Sequence, residues 1–575
     1  MFSTGVISAK RLPAFPHTTF NYIPPSPARD QAKYEWVTNK NYFQTNPEFF
    51  GVTRDGKRRP THLCFSNPPL RQELTKNILE HIRRVGEKDL ILMMAQEDAN
   101  DVLCLCPECH KYDASYQGRG GAMYDYIIEL GSLVKQQYPL ARILIMPYKT
   151  TKKPVVPPEG KRFPDNLIAI FPDNQDRICD REWSYPGNDQ NYRYIVEWKK
   201  RIPHIWVYYY SVMYCAGSLM PYDITDLFVS DLRMMKQAGV EGIFCDGGTT
   251  IYSGNTFIDL QEYVYGQLLK NIDADVPTMV REYTDCVYGA AAPLTRQYLN
   301  DLQEARKTAR IPLGDYTHTV VDFEREFAYL SVYRLRRWQG MFDEMEELTA
   351  RDAHALGNVK LLRRTLEFAT LARWRDLAKA YPDVFTDSQA HKARLGEIRW
   401  WEKSYLADVE TILRAGGQIK PLPSQFKDIP TSRLCRLLPV NTCNDDRAKA
   451  RLDPDAAYGY ATTVDLPDLP FEFGFYPWQN PNDTAMRVVL NKEQITPDTY
   501  TLHKIGPFTI TPKAMIWFSG QSWGTQSGIG ERLYDPESNN RWQAYVSLKF
   551  SGPPVGGKGK DYEVLCDQII LVKSE

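Results

Sequence analysis

The sequence predicts an α/β protein whose first half is a parallel sheet surrounded by helices, a complete or incomplete barrel of the TIM type. Short apolar runs alternate with amphipathic stretches from about residue 60 to residue 270, which is typical of βα units. The apolar runs are rich in Ile, Leu and Val and lack polar alternation, as expected for strands covered on both faces. A doubly wound open sheet is the alternative, but no Gly-rich strand-to-helix fingerprint supports it.

The strands of the predicted sheet are five apolar runs: Leu90–Ala95, Arg142–Met146, Leu167–Phe171, His204–Tyr210 and Gly242–Asp246. Amphipathic patterns between and around them predict five helices: Leu70–Val85, Ala122–Tyr138, Tyr192–Arg201, Asp226–Gly239 and Leu260–Asn271. We assign residues 1–275 to this barrel-like domain.

The second half changes character twice. Residues 276–418 carry long amphipathic patterns that predict a helical domain: Phe323–Leu348, Lys360–Tyr381 and Ala390–Ala415. A proline-containing linker follows at 419–434. Residues 435–575 predict an antiparallel β-sandwich similar to carbohydrate-binding modules, with five strands: Tyr458–Val464, Ala485–Asn491, Phe508–Phe518, Ala544–Phe550 and Glu563–Val572.

Composition excludes some classes of function. The 575 residues have a formal charge of -1, so no overall field favours nucleic acid or an anionic membrane. No apolar run approaches the roughly 20 residues that span a bilayer, and the N-terminus lacks the sections of a signal peptide. Aromatic residues make up 12% of the chain, which suits a carbohydrate cleft but also an aromatic core.

Candidate catalytic residues follow the predicted strands, because active sites of parallel barrels lie at the carboxyl ends of the strands. The polar residues at these ends are Gln96, Glu97, Asp98, Tyr148, Lys149, Asp173, Tyr208 and Asp246. Glycosidic cleavage requires two facing carboxylates, one of which protonates the leaving oxygen. Glu97 or Asp98, opposite Asp173 or Asp246, would supply this pair. Loop and cap roles are the alternative for each of them.

A cysteine cluster lies in the loop after the first predicted strand. Cys104, Cys106 and Cys109 are spaced closely enough to predict a structural zinc loop, because zinc takes four sulfur or imidazole ligands. His110 or a distant cysteine such as Cys179 would be the fourth ligand. Reduced thiols or a disulfide are the alternatives, because no second Cys-x-x-Cys pair occurs. The sequence indicates no required cofactor.

Several motifs occur in a defined order. They are Asn46-Pro47-Glu48-Phe49-Phe50, Leu63-Cys64-Phe65-Ser66-Asn67-Pro68, Gln96-Glu97-Asp98 with the cysteine cluster, and Tyr148-Lys149-Thr150-Thr151-Lys152-Lys153-Pro154. From about His17 to Arg306 the chain thereby resembles the family called domain of unknown function 4838. The resemblance implies a fold related to alpha-glucuronidases and hexosaminidases, a role in bacterial polysaccharide degradation and an extracytoplasmic location.

The chain departs from the family pattern at several places. The pattern has Asn-Asp at Glu97-Asp98, so Asp98 is the residue that carries over. Acidic residues of the pattern fall on Val207 and Cys245, and Asp246 beside Cys245 would substitute for the second. The resemblance also implies a preceding domain and two further strands at the front. Either residues 1–22 with another segment fill the gap, or a second copy or another partner completes the barrel, or the sequence is a partial reading frame that lacks the N-terminal part.

The leading hypothesis is a glycoside hydrolase that acts on a polysaccharide or oligosaccharide containing uronic acid or hexosamine. Asp98 or Glu97 is the predicted general acid, and Asp246 or Asp173 the opposing carboxylate. The predicted substrate contacts are Tyr148, Trp206, Tyr208, His17 and Gln96. The rival hypothesis is a non-catalytic glycan-binding or scaffold protein derived from such an enzyme, which the two lost acidic positions favour.

Overall fold

The structure is a computed structural model of the chain. It describes residues 17–26, 35–53, 56–97, 103–173, 182–184, 189–211, 219–246, 256–308, 328–396, 419–437, 448–465, 471–477, 486–490, 494–510, 514–519, 525–528, 541–551 and 563–574, together with single positions between 398 and 415 and position 533.

An antiparallel ribbon and a parallel sheet make up the strands of the first half. The ribbon is β1 (Phe50–Val52) and β2 (Arg58–Leu63). The sheet consists of β3 (Ile91–Met94), β4 (Arg142–Ile145), β5 (Leu167–Pro172), β6 (His204–Tyr210) and β7 (Gly242–Asp246). All five predicted strands are confirmed to within one residue, whereas the ribbon was not predicted.

The strands of the parallel sheet follow one another in chain order, β3-β4-β5-β6-β7. Each neighbouring pair is parallel. A doubly wound sheet reverses its direction of winding, and this order does not reverse within the described strands. Right-handed crossovers between strands added always on the same side place the connecting helices on a single face.

Helices precede and connect these strands. They are α1 (Thr19–Tyr22), α2 (Glu35–Thr38), α3 (Tyr42–Thr45), α4 (Pro68–Val85), α5 (Pro107–Ser115), α6 (Gly121–Gln137), α7 (Asp189–Lys199), α8 (Thr225–Gln237) and α9 (Ile258–Lys270). The sequence signals of α4 are explicit: Asn67 caps its first turn by accepting from the Leu70 amide at 2.9 Å, and Gly86 ends it with a φ of 82°.

The parallel sheet has two different faces. Alternate residues such as Ile143, Phe171 and Val207 belong to the large hydrophobic core shared with the helices. The other face, which we call the inner face, forms a separate apolar cluster. Its members are Met93, Ala95, Leu144, Met146, Tyr148, Ile168, Ile170 and Tyr208, with Ile91, Trp206 and Tyr210 at its margin. The strands are apolar on both faces because helices bury one face and side chains of neighbouring strands bury much of the other.

In the part of the chain that the structure describes, six bounded helices follow the sheet. They are α10 (Val276–Tyr288), α11 (Ala292–Arg306), α12 (Val332–Leu348), α13 (Ala353–Ala372), α14 (Trp374–Ala380) and α15 (Ser388–Ala393). They pack against the region of the parallel sheet: buried Arg306 donates to Asp226 at 2.8 Å, and the Tyr329 hydroxyl donates to the Pro221 carbonyl at 2.8 Å. One hydrophobic cluster therefore extends from Phe20 to Val409.

The C-terminal part consists of two antiparallel sheets. One contains β8 (Leu434–Leu437), β9 (Ala448–Leu452), β10 (Tyr460–Asp465), β13 (Thr501–Thr509), β16 (Arg541–Ser551) and β17 (Glu563–Lys573), and the other contains β11 (Phe471–Pro477), β12 (Met486–Leu490), β14 (Ala514–Ser519) and β15 (Thr525–Gly528). The long strand β17 pairs with β16, β10 and β8, and so organises the first sheet.

One C-terminal strand prediction is wrong. The apolar stretch Phe508–Phe518 belongs to two strands, β13 and β14, which lie in different sheets. Pro512 stands within this stretch. Proline cannot donate to a strand ladder, so it favours a break at this position, and the apolar pattern alone does not show the break.

Candidate functional site

Four buried cysteines meet at the junction of the antiparallel ribbon and α5. Cys64 follows β2 directly, and Cys104 lies beside the ribbon, where its sulfur accepts from the Val52 amide at 3.3 Å. Cys106 is the N-cap of α5, and Cys109 is in its first turn. Their ligand atoms all lie within 4.8 Å of one another. We call these four residues the tetracysteine cluster.

The sulfur separations fit a tetrahedral metal centre. Zinc–sulfur bonds of about 2.3 Å at tetrahedral angles place neighbouring sulfurs about 3.8 Å apart. The Cys64 sulfur lies 3.5 Å from that of Cys104, 3.7 Å from that of Cys106 and 4.0 Å from that of Cys109. A disulfide would need about 2.05 Å, and all four residues are free thiols. The cluster could therefore hold one metal ion.

Polar groups around the sulfurs favour the thiolate form of Cys64, the form in which a thiol binds a metal. The Ser66 hydroxyl lies 3.2 Å from the Cys109 sulfur and 3.4 Å from those of Cys64 and Cys106. Hydrogen bonds from Cys104 and Cys109 hold the pKa of Cys64 far below its usual range, and Ser66 and Arg58 add to this effect. The pKa of Cys109 is raised in turn by its hydrogen bonds with Cys104 and Cys64 and by burial.

The fourth member of the cluster corrects the sequence prediction. His110 is not part of it: its side chain is 53% exposed, and its Nδ1 lies 3.5 Å from Arg119. Cys179 lies outside the described residues. Cys64 was missed because it is forty positions upstream and has no partner nearby in sequence, although it belongs to one of the family-like motifs.

Two of the predicted catalytic carboxylates are buried and bonded to backbone. Glu97 is 3% exposed and accepts from the Thr19 hydroxyl at 2.8 Å and the Phe20 amide at 2.9 Å, so it anchors α1 beside β3. Asp173 is fully buried and accepts from the Tyr210 amide at 2.9 Å. These contacts fix the carboxyl ends of β3, β5 and β6, and a catalytic role for either residue stays a prediction.

The other two predicted catalytic carboxylates are Asp98 and Asp246. Asp98 lies outside the described residues. Asp246 ends β7, where its backbone is the register partner of Tyr210. The backbone of Asp246 is thus at the carboxyl edge of the sheet, as predicted.

The ends of β3 and β4 are joined by the predicted substrate contacts. The His17 ring donates from Nδ1 to the Gln96 carbonyl, 2.7 Å away, and its centroid lies 5.4 Å from that of the Tyr148 ring, tilted by 53°. The buried Thr151 hydroxyl donates to Gln96 Oε1 at 2.9 Å. Beside them, Lys149 has a φ of 49°, a left-handed conformation that non-glycine residues rarely adopt away from functional sites and tight turns.

Aromatic rings line the inner face on β6 and β7. The Tyr208 ring centroid lies 4.8 Å from that of Tyr210 and 4.7 Å from that of Phe244. Phe244 is 43% exposed, which is high for a ring in the middle of a strand. Trp206 lies over Gly242 in the same row, because a Cβ there would be 2.9 Å from the indole. We call Trp206, Tyr208, Tyr210 and Phe244 the aromatic platform.

The two positions at which the family resemblance implies an acidic residue lie on the opposite face. Val207 is fully buried in the core shared with the helices, and Cys245 packs against the same core. Neither residue belongs to the row of the aromatic platform. The replacement of acidic residues at these positions therefore does not alter the inner face directly.

The fold and this site define a class of α/β proteins with a parallel sheet wound in one direction, an aromatic inner face and a tetracysteine cluster. The chain belongs to the family described as Domain of unknown function (DUF4838), whose model matches residues 14–300. The match includes the ribbon, the cluster and the whole parallel sheet, so the family resemblance is confirmed. No curated protein matches the chain.

Within the described residues, none of the helices combines the length and apolarity needed to cross a membrane.

Proposed function

We propose that the protein is a carbohydrate-active protein of the glycoside-hydrolase type, which binds its substrate along the aromatic platform. The observation that carries the proposal is the exposed ring of Phe244 in one row with Tyr208 and Tyr210. Flat apolar rings next to polar strand ends suit sugars, which present C–H faces to rings and hydroxyls to polar groups. The substrate is a polysaccharide or oligosaccharide with uronic acid or hexosamine units.

Asp98 and Asp246 are the proposed catalytic pair. Asp246 ends β7, and Asp98 follows β3 in the sequence. Parallel α/β enzymes place their chemistry at the carboxyl ends of the strands. The engagement of Glu97 and Asp173 with backbone amides supports positioning roles for these two carboxylates. Asp98 would protonate the leaving oxygen, and Asp246 would act as nucleophile or activate water.

Closure of the sheet into a barrel and packing of the C-terminal sheets into a sandwich are part of the same proposal. The consecutive order of β3 to β7 supports a barrel, because barrels add strands in one direction. Leu490 of β12 belongs to the hydrophobic cluster of the first C-terminal sheet, which supports face-to-face packing of the two sheets.

A structural zinc ion is proposed for the tetracysteine cluster. The donor set supports zinc because four thiolates in a tetrahedron are typical of structural zinc sites. All four residues would be ligands, and the ion would join the ribbon to α5. The proposal assigns it no part in the reaction, since a site with four protein ligands leaves no position for substrate.

The first test is a screen of the purified protein against aryl glycosides and against uronic acid and hexosamine oligosaccharides, with product release and thermal shift measured together. We expect Asp98→Asn and Asp246→Asn each to lower turnover by about 10²–10⁴-fold with the thermal midpoint retained. Asp273→Asn, at an exposed turn position, is the control and should leave turnover unchanged.

The rival proposal is a glycan-binding protein without catalysis, favoured by the engagement of Glu97 and Asp173 in buried contacts. It requires a thermal shift with a sugar that gives no product. Turnover that is retained in both aspartate variants would exclude the proposed catalytic pair.

A further inference from the structure

We propose that the tetracysteine cluster positions Gln96 and Tyr148 at the carboxyl edge of the parallel sheet, so that metal occupancy controls glycan affinity. The inference rests on the proposed function for its sugar-binding part. It assigns the cluster a role in the site itself, beyond holding the ribbon to α5.

The connection starts at Cys104. Its sulfur accepts from the Val52 amide at 3.3 Å, and the Leu105 amide donates to the Val52 carbonyl at 2.9 Å. This segment of the chain is therefore fixed to the ribbon. Leu103 directly precedes Cys104 and is 7% exposed. Its carbonyl accepts from Arg119 at 3.4 Å. The position of Leu103 is thus set by the cluster on one side and by the turn before α6 on the other.

Gly120 allows Leu103 to approach Thr151. A Cβ at Gly120 would lie 3.3 Å from Leu103 Cδ1 and 2.8 Å from Thr151 Cγ2. Both side chains therefore converge on the space that the missing side chain leaves. Gly120 also has a φ of 82°, which suits glycine. Because both side chains pack against Gly120, a shift of Leu103 would change the space that Thr151 occupies.

Thr151 joins this contact to the carboxyl edge. It is fully buried, and its hydroxyl lies 2.9 Å from Gln96 Oε1 and accepts from the Tyr148 amide at 3.0 Å. The Tyr124 hydroxyl holds the Thr151 carbonyl at 2.8 Å. Thr151 is thus a single buried residue on which the ends of β3 and β4 depend. It is a positioning residue, since it acts through Gln96 and Tyr148.

The test is hydrogen exchange followed by mass spectrometry on the full chain, with zinc bound and after removal by a chelator. We expect exchange in residues 147–152 to accelerate at least about tenfold without zinc, while α12 is unchanged. Affinity for the oligosaccharide found in the screen should fall in parallel. Cys286→Ser, at an exposed thiol outside the cluster, is the matched control and should exchange like the wild type. Unchanged exchange in a folded zinc-free protein would overturn the inference.

A second pair of variants covers the case in which the zinc-free protein unfolds as a whole. Leu103→Ala removes the side chain that packs beside Thr151 at Gly120 and leaves every ligand in place. We expect it to retain zinc and to speed exchange in residues 147–152. Leu105→Ala makes the same change on the other side of Cys104. We expect it to leave exchange in residues 147–152 at the wild-type rate. Equal, slow exchange in both variants would overturn the inference.

The outcomes separate the inference from the proposed function, because hydrogen exchange needs no sugar. Zinc-dependent exchange with zinc-dependent sugar affinity supports both. Zinc-dependent exchange in a protein that binds no sugar of the panel would overturn the proposed function and still support the positioning of the carboxyl edge by the cluster.

Discussion

At the scale of single residues, the tetracysteine cluster shows how neighbours prepare a metal site. Four thiolates around one divalent ion carry a net charge of -2, which is costly in a buried place unless polar groups compensate it. The Ser66 hydroxyl lies within hydrogen-bonding distance of three of the sulfurs. Burial lowers the pKa of Arg58, but interactions with Cys64 outweigh burial and raise it, so its positive charge is stabilised by the sulfurs.

The zinc proposal is tested at this scale by substitution of one ligand and of one neighbour. We expect about one zinc per chain in the wild type, and a loss to background in Cys64→Ala because three ligands do not complete the tetrahedron. Ser66→Ala removes only a hydrogen bond and should weaken zinc affinity by about 10–100-fold. Elemental analysis and competition with a chelator measure both effects.

The control for the ligand variant is Cys286→Ala, which removes an exposed thiol and should keep the zinc content of the wild type. Full zinc content in Cys64→Ala, or a wild type that takes up no zinc, would refute the assignment.

At the scale of elements, the pairing of β6 with β7 shapes the aromatic platform. Trp206 and Gly242 are register partners, and a Cβ at Gly242 would lie 2.9 Å from Trp206 Cδ1. Because Gly242 has no side chain, the indole of Trp206 occupies the space where a Cβ would be. This space lets the indole of Trp206 lie against Gly242, in one row with Tyr208.

Gly242→Ala should displace the Trp206 ring because the new methyl group overlaps it. We expect a loss of about 1–3 kcal/mol in the free energy of unfolding, as is usual for overpacking, together with weaker sugar binding. Urea unfolding and tryptophan fluorescence measure the change.

Gly266→Ala is the matched substitution in α9, where a Cβ meets nothing within 4 Å. It should raise the free energy of unfolding by up to about 1 kcal/mol, because alanine favours a helix over glycine. Effects of the same sign at both glycines would show that Trp206 packing is not the cause.

At the scale of the whole molecule, buried carboxylates join the helical region to the region of the parallel sheet. Asp223 is 1% exposed and accepts from Gln303 of α11 at 2.7 Å and from the Thr225 amide at 3.1 Å. Burial raises the pKa of Asp223 to about 6. Bonds from Gln303 and Thr225 oppose this rise, and the charge of Asp226 adds to it.

This raised pKa gives the stability a pH dependence of known sign. The folded chain holds the Asp223 proton more tightly than the unfolded chain, whose carboxyl titrates near 3.8. The resulting stabilisation is complete below about pH 3.8 and is lost as the pH rises through about 6. Its size is of the order of 3 kcal/mol, from about 1.4 kcal/mol per pKa unit.

Asp223→Asn should remove this contribution, since asparagine keeps the acceptor and does not ionise. Relative to the wild type at the same pH, we expect the variant to gain stability between about pH 4 and pH 7 in urea unfolding. Comparison of the two proteins at equal pH cancels the contributions of other titrating groups to stability. One of these groups is His81, whose pKa is lowered to about 4 by burial. Asp273→Asn is the exposed control, and a profile like that of the control would contradict the prediction.

Local patterns predicted the elements whose signals are short-range. β6 and β7 have the bounds that their apolar runs indicated, and α4 lies between the capping Asn67 and the terminating Gly86. The cysteine spacing likewise indicated a metal loop. In each case, neighbours within a few positions determine the backbone, so the residues needed for the prediction are adjacent in the sequence.

Other features depended on contacts between distant residues. Cys64, directly after the ribbon strand β2, is the fourth member of the cluster, whereas the sequence offered His110 or a distant cysteine such as Cys179. Strand-end position marked Glu97 and Asp173 as catalytic candidates, but the fold places Thr19 and the Tyr210 amide against them. The apolar pattern also predicted one strand where the structure has two, β13 and β14, which lie in different sheets.

The sequence by itself therefore determined the family, the order of the five parallel strands and the helices between them, and which polar residues follow those strands in the chain. Only the tertiary structure decided which four thiols meet, which carboxylates are bound to backbone, and which face of β6 carries Trp206 and Tyr208 rather than Val207. The physical reason is that periodicity and capping act over a few residues. A packed core brings together residues that are tens of positions apart in the sequence, and a local pattern does not predict which of them will be in contact.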